Sequence, residues 1–175
     1  MNRTWTSAAP ASAVIDSKRC RTLVAWFLFA WAAGPGWMQS ATAETAADAR
    51  AVEELYERFV SAQNAKDVAT VRSLLSPSPQ FQWVSDGKVF WGREATLERM
   101  VTFQKSEVWR VEPDRAARQY IPLSPQSGYL FQPLTLVIGT AQAPDRLAFL
   151  VNVVCSKSER GWEIIGLFTT LRNPA

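Results

Sequence analysis

The chain has no histidine among its 175 residues, and that absence bounds its chemistry before any motif is read. Without an imidazole there is no Ser-His-Asp triad, no Cys-His pair, no His-Asp dyad and no His-ligated metal, so no metal site is expected. Acid–base work would fall to carboxylates, Lys, Tyr or Cys155. Three side chains are weak catalytic candidates: Asp86 at an Asp-Gly pair, Glu94 at a helix start, and Tyr120, whose hydroxyl would donate to a carbonyl oxygen. Each has a plainer use. Asp86 is the residue a tight turn selects, Glu94 complements a helix dipole, and a packed tyrosine commonly satisfies its own hydroxyl. Cys155 lies beside the apolar run Phe149 to Val154 and reads as a buried small hydrophobe, because no imidazole is present to activate it. No two carboxylates stand out as an acid–base couple.

Binding is the other chemistry these residue types allow. A ligand cavity needs mainly apolar walls and a few convergent polar groups. Trp83, Trp91, Tyr120, Phe149 and Phe59 are the wall candidates, with ordinary core packing as the alternative for each. Asn152 interrupts an apolar strand, and a buried amide there needs a neighbouring side chain, an ordered water or a ligand.

The elements that must position these residues follow in a simple order. Val52, Leu55, Tyr56, Phe59 and Ala62 recur at helical spacing, with Glu53, Glu54, Glu57 and Arg58 on the other face; they predict a helix of about four to five turns. It ends near Asn64, and Asp67 is placed to cap a shorter helix with Val68, Val71, Leu74 and Leu75 inward. Pro77 and Pro79 stop helical structure. The stretch FQWVSDGKVFW, residues 81–91, reads as a hairpin turning at Ser85-Asp86-Gly87, and a third helix spans Arg93 to Lys105. From Ser106 the period is two: Glu107 to Pro113, Ala117 to Leu123, Tyr129 to Gly139, Leu147 to Ser156 and Trp162 to Leu171 are strands.

Helices followed by a run of antiparallel strands imply an α+β domain, with the helices on one face of a curved sheet. The last two strands are apolar on both faces, so both faces need cover. Helices supply one. A second copy of the chain, hence a homodimer, is expected on the other, though a sheet curling onto its own outer surface would serve as well.

Residues 1–43 hold four of the 19 basic side chains and one of the 16 acidic ones, leaving 15 of each in the remainder. The excess positive charge therefore belongs to this segment, and a neutral body carries no electrostatic footprint for nucleic acid. Lys18, Arg19 and Arg21, the apolar Leu23 to Ala33, and Ala41-Thr42-Ala43 read as a secretory signal peptide cut before Glu44. The expectation is an exported protein, periplasmic or secreted, with no membrane attachment after cleavage; an uncleaved anchor is the alternative. Cys20 would leave with the leader, and the body would then contain no disulfide.

The succession VEELYERFVSAQNAKDVATVRSLL, FQWVSDGKVFWGREATLERM, LSPQSGYLFQPLTLVIG and GWEIIGLF resembles the nuclear transport factor 2-like superfamily, in particular its SnoaL-like branch, over about Ala46 to Arg172. Asp86, Gly87, Gly92, Arg93, Glu94 and Ala95 carry its hairpin-to-helix pattern. The resemblance implies a SnoaL-like domain over residues 44–175: a cone-shaped, curved antiparallel sheet wrapped around three N-terminal helices, an apolar cavity at the wide end, and dimerisation through the sheet. It implies either a non-catalytic domain binding a small apolar ligand or a protein partner, or a cofactor-independent isomerase, dehydratase or cyclase working by proton transfer. The first is expected, because the histidine that many of the enzymes use is missing.

Overall fold

The computed structural model describes residues 36–173, with side chains from 44 onward. The expected leader, residues 1–43, therefore lies outside the described residues except for the backbone of 36–43. Among the described residues no helix is long and apolar enough to cross a membrane.

Helix α1 runs Gly36–Asn64 and is longer than the apolar stripe predicts, because the alanine-rich segment ahead of Val52 continues it. Its buried face is Val52, Leu55, Tyr56, Phe59, Val60 and Ala62. Lys66, at φ 57°, breaks the helix in the left-handed region. Asp67 then caps α2, Val68–Leu74, by accepting from the Thr70 backbone N–H at 3.0 Å and from its hydroxyl at 2.6 Å.

Strands β1, Gln82–Ser85, and β2, Lys88–Trp91, form the expected hairpin. Asp86 (φ 51°) and Gly87 (φ 69°) both occupy the left-handed region that a two-residue hairpin turn requires. Helix α3 is Gly92–Phe103, and β3 to β7 are Val108–Pro113, Gln119–Ser124, Ser127–Gly139, Pro144–Ser158 and Gly161–Leu171.

The seven strands form one open sheet in the order β2-β1-β7-β6-β5-β3, with β4 also paired to β5. One pairing departs from the antiparallel expectation: β1 runs parallel to β7, with Gln82, Trp83 and Val84 opposite Gly166, Leu167 and Phe168. The cause lies just upstream. The segment after α2 is already aligned with β7 through a parallel bridge between Leu75 and Ile164, and the Ser76 N–H donates to the Ile164 carbonyl at 2.8 Å. Pro77 and Pro79 carry the chain on in the same direction, so the sheet is mixed.

The core lies between the helices and the concave face of the sheet, where Leu55, Leu75, Phe81, Leu97, Leu130, Val153, Cys155 and Ile164 are each at most 3% exposed. Alternation places Val151, Val153 and Cys155 on that face and leaves Leu150, Asn152 and Val154 half-buried on the other. A register shift at Val154 and Cys155 bends the β6–β7 pair. At one edge, Asn64 at the end of α1 acts as a substitute strand: its Nδ2 donates to the Val111 carbonyl at 3.0 Å, and its Oδ1 accepts from the Val111 N–H at 2.7 Å. This clamp sets the height of the α1 C-terminus against β3.

Candidate ligand cavity

Between that end of α1 and the sheet is a cavity of about 190 Å³. Helical spacing turns Tyr56, Phe59 and Gln63 of α1 into it, and α3 adds Met100 and Phe103. The strands contribute alternate residues, as the pleat dictates: Trp83 and Ser85 from β1, Trp109 and Val111 from β3, Leu134 and Leu136 from β5, Phe149 and Val151 from β6, Leu167 and Thr169 from β7.

The aromatic wall is held by specific contacts. Trp83 Nε1 donates to Thr169 Oγ1 at 3.2 Å, and that hydroxyl donates to the Val84 carbonyl at 3.1 Å, which fixes the indole across the β1–β7 junction. Phe90 lies against Trp83 with ring centroids 5.6 Å apart, and Phe103 stacks on Trp109 at 6.2 Å. The Arg99 guanidinium covers the Phe103 ring at 4.0 Å and reaches Asp86 at 3.8 Å.

Two titratable side chains line the cavity, Tyr56 and Asp86. Burial pushes the Tyr56 phenol well above its ordinary value, with nearby Arg118 opposing, so this hydroxyl stays protonated. Asp86 sits at the hairpin turn with its side chain 51% exposed. Two further polar residues of the lining are also buried: Gln63 is 6% and Ser85 7% exposed.

The predicted residues divide. Trp83, Phe149 and Phe59 meet in the cavity, with Asp86 beside them. Trp91 does not join them: its neighbour Phe90 is the residue that packs against Trp83, and Trp91 itself is 60% exposed. Tyr120 lies outside the lining, across Gly128, where a Cβ would fall 2.6 Å from its hydroxyl oxygen. Burial and then Asp48 raise its phenol. Asn152 is on the opposite face of β6 from Val151, between Phe131 and Phe168 in register. Glu94 faces away from the cavity, ion-paired with Arg72 and Arg93; the Arg72 hydrogen bond holds its carboxyl below the usual range. Cys155 is buried, and burial alone pushes its thiol up to about 12.

Sequence reasoning passed over Gln63, Ser85, Trp109 and Thr169. Gln63 had a visible signal: it stands seven residues after Tyr56 and four after Phe59, a polar residue in an apolar helical stripe. Among the described residues, no group of three or more carboxylates and cysteines converges as metal ligands would.

No protein-family model matches the chain, and no curated protein does. Solved structures do. A protein with a cystatin-like fold from Caulobacter vibrioides is 18% identical, with a TM-score of 0.63 over 73% of this chain and 91% of that one. A proposed dehydratase of the NTF2-like family from Streptomyces avermitilis is 14% identical, with a TM-score of 0.65 over 74% of this chain and 99% of the other. A hexachlorocyclohexane dehydrochlorinase from Novosphingobium barchaimii is 11% identical, with a TM-score of 0.64 over 75% and 91%. At these identities the likeness carries the architecture and leaves the chemistry to the site. The chain has an α+β, cystatin-like fold, the architecture it shares with these solved structures.

Proposed function

We propose that this domain is a binding module that holds a small, mainly apolar molecule between α1 and the concave face of the sheet. The observation that supports it is the cavity wall: rings and aliphatic side chains from seven elements enclose about 190 Å³, with the Trp83 indole anchored on Thr169. Proton transfer has less support. Tyr56 is held protonated, Asp86 is half exposed at the turn, and Glu94 and Tyr120 lie outside the lining. The same reading includes export through the leader, residues 1–43, and pairing of two copies through the half-buried outer residues Leu150, Val154 and Phe168.

The test is a titration with a single-ring hydrocarbon such as ethylbenzene, followed by tryptophan fluorescence, since Trp83 and Trp109 both face the cavity. Saturable binding is expected in the native chain and is lost in Val151→Trp, which fills the space. Absence of saturation, or equal binding in the filled variant, overturns the reading.

A further inference from the structure

We infer that the ligand is neutral and carries an amide-like polar group, one that both donates and accepts hydrogen bonds, and that Gln63 is the residue selecting it. This rests on the proposed binding role of the cavity. Gln63 is 6% exposed, lines the cavity, and its side chain makes no hydrogen bond to any described residue; its backbone carbonyl accepts from Gln104 Nε2 at 3.2 Å and from the Lys66 N–H at 3.0 Å. Its carboxamide is not sealed off as Trp109 Nε1 is, and the residue lines the cavity. Ser85, 7% exposed and in the same lining, also has no side-chain partner among the described residues.

An enclosed amide with neither donor nor acceptor satisfied is rare in folded proteins, and the group that completes it must supply both functions. Trp83 and Thr169 satisfy each other and are unavailable. No cationic side chain lines the cavity, so an anionic ligand would lose its hydration with no counter-charge in return. The space is close to the roughly 150 Å³ that admits one benzene ring in engineered cavities, which fits one ring and a short polar arm.

The test compares four probes of similar bulk by calorimetry: phenylacetamide, acetophenone, ethylbenzene and phenylacetate. In the native chain phenylacetamide binds more tightly than acetophenone, and phenylacetate binds at least about tenfold more weakly than phenylacetamide. In Gln63→Leu the preference for phenylacetamide over ethylbenzene falls by roughly 10- to 100-fold, the worth of one or two hydrogen bonds, while ethylbenzene still binds. Gln63→Met repeats the measurement should the leucine variant fold poorly. A preference unchanged within about threefold means that water satisfies the amide, and it overturns this inference while leaving the cavity's binding role intact. Phenylacetate binding as tightly as phenylacetamide overturns the neutral-ligand assignment. If none of the four binds the native chain, the binding role itself falls and this inference with it.

Discussion

Replacing Asn64 by alanine tests the clamp between α1 and β3. The side chain makes two hydrogen bonds to one residue, at 3.0 Å to the Val111 carbonyl and 2.7 Å from the Val111 N–H. Each is worth about 0.5–1.5 kcal/mol net, and a stranded, fully enclosed backbone group costs about 1–3 kcal/mol. Val111 is 6% exposed, but β3 is an edge strand, so water reaches part of what the amide leaves behind. Asn64→Ala should therefore destabilise the domain by about 2–3 kcal/mol. Asn64→Asp keeps the acceptor for the Val111 N–H, yet sets a carboxylate against the Val111 carbonyl and at the C-terminal end of α1, where negative charge is unfavourable. It should also lose stability. Urea unfolding followed by tryptophan fluorescence measures both, with an unchanged denaturant slope showing that stability alone has moved. An alanine variant within about 0.5 kcal/mol of the native chain would refute the reasoning and mean that solvent replaces the clamp without penalty.

Two other outcomes concern protonation. Hydrogen bonds from Arg115 and then Arg118 hold the Glu57 carboxyl below its ordinary value, against the opposing effect of burial. The stability it contributes is thus present above the ordinary carboxylate value of about 4.3 and is lost as pH falls through the lower folded value. Glu57→Gln should flatten the acid limb of urea midpoint against pH, and an identical limb would contradict this. For Cys155 the sign is reversed: with its thiol raised to about 12, its contribution is intact below the ordinary value of about 8.5 and declines as pH rises toward 12. Iodoacetamide at pH 8.5 should leave Cys155 unmodified until denaturant unfolds the chain, which peptide mass spectrometry reads directly; modification at the rate of a free thiol would show that the site opens locally.

Much of the architecture was legible because alternation and helical spacing are local. Val151, Val153 and Cys155 form the inward row of β6, as period two requires, and Tyr56 and Phe59 fall on the inward face of α1. The site was less legible where parity was ambiguous. Phe90 and Trp91 are adjacent aromatics on a four-residue strand, and nothing in the alternation says which faces inward; only pairing Trp83 with Phe90 decides it. Phe149 and Asn152 are three apart on one strand, so they cannot share a face, and grouping them as ligand contacts set chemistry above geometry. The parallel β1–β7 pairing was invisible because it depends on a bridge between Leu75 and Ile164, residues far apart in the chain.

That pairing also decides when the protein becomes a protein with a cavity. Trp83 and its hydrogen-bond partner Thr169 are separated by 86 positions. Strand β7 lies between β1 and β6, so until it is in place the β1–β2 hairpin has no neighbour in the sheet. On the ribosome, the helices and the hairpin emerge long before the strand that joins them to the rest. The wall at Trp83 is consequently among the last parts to assemble, and closing so long a loop makes that step slow relative to forming the local hairpins of β5 and β6. A nascent chain paused before residue 161 would expose its indoles to whatever chaperone or protease meets it first.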